Sequence, residues 1–187
     1  MQKTKIVFLV LPHVHLMDLA GPDQVFLEAI GFDAPFEIEY CSSVNSFSSS
    51  SHLPFGKLNH FSKVKLKADD FLIIPGAELH YLQSKEFKSD KALFDWIRNC
   101  RERNVKICSV CSGAFVLAES GILNDKECTT HWKRTDELQK QYPKAKVTEN
   151  VLFTEDDNIY TSAGVASGID LALYILEQLM GEYFAHK

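Results

Sequence analysis

The residues that are best suited to take part in a reaction form a short junction, Cys111-Ser112-Gly113. The segment before it, Val105 to Val110, is short, apolar and β-branched, which predicts a buried strand. The segment after it, Ala114 to Ala118, predicts a buried helix. Because so little chain separates strand from helix, the backbone must bend sharply at Cys111. Gly113 is the small residue that lets the two elements approach closely.

This geometry is that of a nucleophile elbow, with a thiol in the place where hydrolases carry Ser. A helix N-terminus lowers the pKa of a thiol through its free amides and its dipole, so we expect a reactive thiolate at Cys111. The amide of Ser112 would point at charge that forms on a substrate held there. A small apolar Cys that fills a strand end would give the same local pattern. The junction alone does not separate the two interpretations.

Length and composition indicate one globular domain over residues 1–187, because the chain is 45% hydrophobic. The net charge of −5, without a basic run, argues against nucleic-acid binding by this chain alone. No apolar run reaches transmembrane length, so we expect no membrane partner. The N-terminus lacks a signal-peptide pattern and the five cysteines are an odd number. We therefore expect a cytoplasmic protein with reduced thiols.

Strand and helix patterns alternate along the chain. The apolar runs Ile6 to Leu11 and Phe71 to Ile74 predict strands buried on both faces. A loop over Pro12 to Asp18 is followed by a predicted helix from Asp23 to Ile30. The serine-rich stretch Ser46 to Ser51 is expected to be a solvated loop. The alternation predicts an α/β fold, with a mostly parallel sheet and helices on both faces.

In such sheets the functional crevice lies at the carboxyl ends of the strands. Asp18, Gly76 and Cys111 each follow a predicted strand. If these strands are neighbours, the Asp18 carboxylate approaches the Cys111 thiol, although a helix N-cap is an alternative role for Asp18. The backbone amides of Gly76 and Ala77 would then complete an oxyanion site with the Ser112 amide.

Other titratable residues offer weaker signals. His131 could act as a base, since His titrates near neutral pH, or it could be structural. His13 and His15 alternate on a predicted strand end and so point to opposite sides, and no second ligand cluster is visible. We therefore predict no metal site and no cofactor. Cys108 and Cys111 form a Cys-x-x-Cys, but on an extended strand they lie roughly 10 Å apart, farther than a disulfide tolerates.

Five motifs carry a family resemblance, in chain order Met17-Asp18-Leu19-Ala20-Gly21-Pro22, Ile73-Ile74-Pro75-Gly76-Ala77, Cys111-Ser112-Gly113-Ala114-Phe115-Val116-Leu117-Ala118, Thr129-Thr130-His131-Trp132 and Ser162-Ala163-Gly164-Val165-Ala166-Ser167-Gly168-Ile169-Asp170. They resemble the ThiJ/PfpI superfamily, which includes the parkinsonism-associated deglycase. This superfamily is related to the class I glutamine amidotransferases and is described as glutamine amidotransferase-like. The pattern is most similar to the branch that holds isocyanide hydratase and the N-terminal domains of AraC-type regulators.

The resemblance implies a flavodoxin-like three-layer sandwich, usually a homodimer, with Cys111 as the nucleophile. In isocyanide hydratase an Asp at the place of Asp18 contacts the thiol. A hydroxyl residue, usually Thr, follows the Cys there, and Ser112 takes that place here. Protease-like members often carry His directly after the Cys, and protease-like and deglycase-like members place a Glu near the thiol. Ser112 therefore argues against peptidase or amidase chemistry.

We predict a cysteine-dependent hydratase (a lyase) acting on a small molecule. The Cys111 thiolate would add to an electrophilic carbon such as that of an isocyanide, and Asp18 would transfer protons. A non-catalytic domain that senses a ligand or oxidation, like the regulator domains, is the alternative. Since the sequence to Lys187 has no helix-turn-helix signals, a complete regulator is not expected. Glyoxalase or deglycase activity is a weaker third possibility.

Overall fold

The computed structural model describes residues 3–186 and contains a seven-stranded sheet with two small two-stranded sheets beside it. The strands are β1 (Thr4–Leu9), β2 (Phe36–Ser42), β3 (Phe47–Ser48), β4 (Pro54–Phe55), β5 (Asn59–His60), β6 (Phe71–Ile74), β7 (Lys106–Val110), β8 (Glu127–Cys128), β9 (Lys146–Val147), β10 (Phe153–Asp156) and β11 (Ile159–Ser162). The main sheet runs in the order β10-β11-β7-β6-β1-β2-β5. Its pairings are parallel except for the antiparallel β10–β11 hairpin. The predicted mostly parallel sheet is confirmed.

Helices connect the parallel strands. They are α1 (Leu16–Gly31), α2 (Leu79–Leu82), α3 (Lys85–Lys88), α4 (Lys91–Glu102), α5 (Gly113–Glu119), α6 (Thr135–Gln141), α7 (Ala166–Met180) and α8 (Glu182–Ala185), with one 3₁₀ turn over Phe61–Lys63. Among residues 3–186, no helix is both long and apolar enough to cross a membrane. The cytoplasmic location stays a prediction.

Side chains alternate along the central strands, so the sheet has a hydrophobic core on each face. On one face Val7 and Leu9 lie in a cluster with apolar residues of α4, α5 and α6. On the other face Ile6 and Phe8 lie in a cluster with apolar residues of α1 and α7. Helices therefore cover both faces of the sheet, as the α/β pattern and the flavodoxin-like resemblance predicted.

The prediction for the first helix was wrong at its start. Helix α1 begins at Leu16, so Asp18 lies in its first turn and not in a loop. Pro22 lies inside the helix, where the sequence rules expect a proline only in the first turn. The buried face of α1 explains the difference, because it continues across the proline from Leu19 to Phe26. Packing of that face outweighs the backbone hydrogen bond that proline cannot make.

The serine-rich stretch is also more ordered than a solvated loop. Phe47–Ser48 forms β3, which pairs antiparallel with β4, and Phe47 stacks on Phe55 with ring centroids 5.0 Å apart. Ser49 is buried, and its hydroxyl accepts from the Leu53 amide at 3.0 Å. Alternating aromatic and polar residues gave too short a pattern to predict this hairpin from sequence.

Candidate active site

The strand-to-helix junction predicted from the sequence is present between β7 and α5. Cys111 has a φ of 56°, a left-handed backbone conformation that costs a non-glycine residue about 1–3 kcal/mol. Its amide donates to the Ser162 carbonyl at 3.0 Å, and its carbonyl accepts from the Thr130 hydroxyl at 2.8 Å. These two hydrogen bonds hold the bend. The side chain is only 4% exposed.

Glycines make room for the thiol on two sides. Gly164 has a φ of +94°, and a methyl group added there would lie 2.5 Å from Cys111 Cβ and 2.8 Å from its Sγ. A methyl group at Gly76 would overlap Asp18 Oδ2 and would lie 3.0 Å from Cys111 Cβ. A methyl group at Gly113 would collide with the Ile74 carbonyl oxygen, so this glycine sets the close approach of α5 to β6. The site therefore needs glycine at all three positions.

Asp18 reaches the thiol from the first turn of α1. Its side chain is fully buried, and Oδ1 accepts a hydrogen bond from the Val165 amide at 2.8 Å. Within residues 3–186 the other oxygen, Oδ2, has no hydrogen-bond partner. A carboxylate oxygen of Asp18 lies within 4.8 Å of Cys111 Sγ. Asp18 thus places a carboxylate oxygen without a hydrogen bond in a buried site beside a thiol. Burying such an oxygen costs free energy, and a catalytic role is one reason for which proteins retain it.

The expectation of a lowered thiol pKa was wrong. Burial, and after it the neighbouring Asp18 carboxylate, raise the pKa of the Cys111 thiol to about 12. The Ser112 amide and hydroxyl act in the opposite sense and are outweighed. The sequence shows the helix N-terminus beside the thiol, but it does not show how deeply the thiol is buried. At neutral pH Cys111 therefore carries its proton until a base removes it.

Ser112 connects the elbow to the loop after β6. Its hydroxyl donates to the Ala77 carbonyl at 2.6 Å and accepts from the Ala77 amide at 3.0 Å. The Ala77 amide donates its hydrogen bond to Ser112, so in this structure Ala77 holds the elbow in place. The oxyanion role predicted for Gly76, Ala77 and the Ser112 amide stays a prediction.

His15 joins the site, although the sequence offered no reason to include it. Val14 forms a β-bridge with Ala77, and the His15 amide donates to the Gly76 carbonyl at 2.8 Å. These contacts replace the strand end on which His13 and His15 were expected to alternate. The His15 imidazole Nδ1 lies 3.8 Å from Asp18 Oδ2, within ion-pair distance when the ring is protonated. His13 lies instead 3.7 Å from Glu78.

A cavity of about 210 Å³ opens onto these groups. Its lining residues include His15, Ala77, Cys111, His131, Lys133 and Val165. Burial lowers the pKa of His131, and its Nδ1 accepts from the Lys133 amide at 3.3 Å. A neutral His131 therefore carries its proton on Nε2. The structure brings His131 to the same cavity as Cys111, and its part in the chemistry stays a prediction.

Three supporting residues were not singled out as site residues from the sequence. They are Thr130, Gly164 and Val165, and each contacts Cys111 or Asp18 through the backbone or a small side chain. Val165 is unusual because a β-branched residue holds φ 50° and ψ −110° while 48% exposed. The Ser162-to-Asp170 motif contains two of these residues, so it was the available signal. What it did not indicate was which atoms face the thiol.

Comparisons with known proteins find relatives in sequence and in fold. Isonitrile hydratase from Pseudomonas putida is 29% identical over 177 residues, which cover 95% of this chain and 72% of that protein. The transcriptional regulator CdhR from Pseudomonas aeruginosa is 37% identical over 94 residues, but these span 50% of this chain and only 28% of the regulator. A crystal structure of a ThiJ/PfpI family protein from Pseudomonas syringae has a TM-score of 0.82 at 26% identity, covering 100% of this chain and 73% of the other.

The relatives thus include both an enzyme and a transcriptional regulator, so the similarity does not identify one activity. The profile of the DJ-1/PfpI family matches residues 4–178, from β1 into the last long helix. That match contains each group described above: the thiol elbow, the buried carboxylate and the glycines that surround them. On this evidence the chain belongs to the DJ-1/PfpI family.

Proposed function

We propose that the protein is a cysteine-dependent hydratase that adds water to the carbon of an isocyanide (isonitrile). The observation that carries the proposal is the buried Asp18 Oδ2, which has no hydrogen-bond partner within residues 3–186 and lies beside the Cys111 thiol. A protonated thiol next to a carboxylate is a nucleophile with its general base already in place. The cavity above them is small and suits a compact substrate.

The chemistry follows from this pairing. Asp18 takes the thiol proton, Cys111 Sγ forms a bond to the terminal isocyanide carbon, and Asp18 returns the proton to that carbon. The product is a thioimidate on Cys111. Water then adds its oxygen to the same carbon, one water proton goes to nitrogen and the other restores the thiol as the C–S bond breaks. The released molecule is an N-substituted formamide. Backbone donors near Ser112 would stabilise the charge that develops.

A thiol that is protonated at rest favours this proposal over an oxidation sensor. Peroxide and similar oxidants react with the thiolate, so a sensor requires a thiol of low pKa. The raised pKa of Cys111 lowers the fraction of thiolate that such oxidants could attack. A substrate-coupled reaction is different, because Asp18 removes the proton only as the bond to carbon forms.

A ligand-binding domain without turnover is the second candidate. Its support is the 37% identity to the regulator CdhR over part of that protein. A regulator domain would use the same cavity to bind a small molecule and would need no proton transfer. The two candidates therefore differ in one property, which is repeated turnover. Glyoxalase or deglycase activity would also turn over, but on an aldehyde.

The deciding experiment is turnover of an aryl isocyanide by purified protein, with formamide quantified by chromatography. We expect product in many-fold molar excess over protein. Cys111→Ala should abolish it because the nucleophile is lost. Asp18→Asn should abolish it because the proton carrier is lost while the thiol remains.

Cys100→Ala is the matched control, since Cys100 is buried on α4, in the core on the sheet face opposite the cluster that contains Cys111, and does not line the cavity. It should keep wild-type turnover. If folded wild-type protein forms no formamide yet binds the isocyanide or another small molecule stoichiometrically, the binding domain replaces the hydratase. If methylglyoxal is consumed and isocyanide is not, the aldehyde chemistry replaces it.

We also propose that the protein is a homodimer, as the family resemblance implies. An apolar groove of about 540 Å³ lies between α1 and α7, with lining residues that include Met17, Val25 and Leu173. Met17 is 49% and Leu173 37% exposed, so covering them would remove apolar surface from water. Sedimentation of the wild type and Leu173→Glu tests this. A monomeric wild type at micromolar concentration would contradict it.

A further inference from the structure

Three side chains from separate parts of the chain converge at the elbow with one ligand atom each. Cys111 Sγ, a His15 ring nitrogen and an Asp18 carboxylate oxygen all lie within 4.8 Å of one another. They come from the end of β7, from the loop before α1 and from the first turn of α1. His13 and His15 were expected to point to opposite sides of a strand end, without a second ligand cluster, so the sequence pattern did not predict this convergence.

We propose that these three side chains bind a zinc ion, with the cavity side open for a fourth ligand. Thiolate, imidazole and carboxylate are the ligand types that Zn²⁺ takes in proteins, and three protein ligands with one open position is a known arrangement. The assignment does not depend on the hydratase, because the same donors exist whether or not the protein turns over a substrate.

The distances suit zinc. Ligands at about 2.0–2.3 Å in a tetrahedron are separated from each other by roughly 3.3–3.8 Å. His15 Nδ1 and Asp18 Oδ2 are already 3.8 Å apart. The remaining separations, within 4.8 Å, need to close by about 1 Å. His15 has room to move, because its side chain is 41% exposed, whereas Asp18 is held by the Val165 amide.

The unpartnered carboxylate oxygen is the second, independent reason. Asp18 Oδ2 is fully buried and aimed at the thiol, with no donor from residues 3–186 to satisfy it. A buried carboxylate oxygen that accepts no hydrogen bond is disfavoured, and a cation held jointly with the His15 nitrogen 3.8 Å away would remove that cost. Zinc would also balance the charge of the site, since one dication offsets one carboxylate and one thiolate.

The charges on the cavity wall do not cancel this attraction. Lys133 and Arg134 line the outer part of the cavity and are exposed, so water screens them. Arg134 is in addition paired with Glu137 at 3.0 Å. Two of the donors of the proposed site, Asp18 and Cys111, are buried, where screening is weaker. Zinc bound there takes the sulfur lone pair, so it blocks any addition of Cys111 to an electrophile.

Titration of metal-stripped full-length protein with zinc chloride, against a chromophoric zinc indicator, tests the proposal. We expect one zinc per chain and release of the thiol proton on binding, because the thiolate is the ligand form. Cys111→Ser should lose the site. His15→Gln should weaken zinc binding by at least about tenfold, a scale typical of disturbed metal sites. His13→Gln is the matched control and should bind as the wild type, since His13 pairs with Glu78.

A second measurement needs no substitution. Zinc should protect Cys111 of the wild type from iodoacetamide, measured by peptide mass spectrometry, and a chelator should reverse the protection. Equal alkylation with and without zinc would overturn the proposal, as would equal zinc affinity in His15→Gln and His13→Gln. Because neither readout involves turnover, a protein that binds zinc but hydrates no isocyanide would support this inference and overturn only the hydratase.

Discussion

Replacing Asp18 with Asn should make the Cys111 thiol more acidic. The substitution keeps the side-chain shape and an oxygen that can accept the Val165 amide, but it removes the negative charge next to sulfur. A unit charge at 4.8 Å, the upper limit of the separation between the Asp18 carboxylate and Cys111 Sγ, contributes about 3.5 kcal/mol at an effective dielectric constant near 20. That energy corresponds to roughly a 300-fold change in ionisation, at 1.36 kcal/mol per tenfold. Burial, the larger cause of the raised pKa, remains, so the thiol should titrate between 9.0 and about 12.

The rate of alkylation by iodoacetamide measures this change directly, because only the thiolate reacts. A more acidic thiol is also a weaker nucleophile, with a Brønsted coefficient near 0.4–0.5. The 300-fold gain in thiolate therefore translates into a gain in rate of about 25-fold below pH 9. Peptide mass spectrometry reports Cys111 separately from the four other cysteines, which are all buried.

Asp170→Asn is the matched control, since it makes the same substitution on α7 outside the cavity lining described above. It should leave the alkylation rate of Cys111 unchanged. An Asp18→Asn protein that alkylates at the wild-type rate or more slowly would refute the reasoning, because the carboxylate charge would then not raise the thiol pKa. If Asp18→Asn speeds the alkylation of Cys111 and also abolishes turnover, the thiol is still able to act as a nucleophile and the lost function is proton transfer by Asp18.

Three further substitutions test the packing of the site. Gly164→Ala adds a methyl group 2.5 Å from Cys111 Cβ at a φ of +94°, so it should destabilise the fold by about 2–4 kcal/mol; an unchanged urea midpoint would contradict the close contact. Ser112→Ala leaves the buried Ala77 amide and carbonyl unpaired and should cost about 1–3 kcal/mol in the same assay, with exposed Ser62→Ala as the control; equal midpoints would show that water replaces the hydroxyl. Val165→Gly removes the backbone strain at φ 50° at a residue that is half-exposed, so it should stabilise the protein by about 1 kcal/mol. A lower melting temperature in circular dichroism would mean that packing of the valine side chain outweighs the strain.

The elbow was predictable because its signal is local. An apolar strand, a small residue and an apolar helix follow one another within a few positions, and the structure has them at β7, Gly113 and α5. The meeting of Asp18 with Cys111 was also within reach, since parallel strands end at a common edge. That inference required β1 and β7 to be close, and in the sheet they both pair with β6.

What the sequence could not give is information on tertiary distance and burial. The pKa of Cys111 depends mainly on how deeply the thiol is buried. The position of a thiol at a helix N-terminus can be predicted from the sequence, but its burial cannot. His15 was misplaced because local alternation was taken as a strand end, whereas the Val14 bridge to Ala77 bends the chain there. The hydrogen bond from Val165 to Asp18 joins residues 147 positions apart, which no periodicity encodes.

That long separation has a consequence for how the protein is made. Asp18 is synthesised 147 residues before Val165, whose amide orients its carboxylate. Domains emerge from the ribosome N-terminal first, so β1 and α1 are available well before the start of α7. Contacts of such high sequence separation form late, because loop closure must precede them. Synthesis thus exposes Cys111 before its carboxylate partner is fixed, and the nascent chain passes through a stage in which its thiol is present without the enclosure that keeps it protonated.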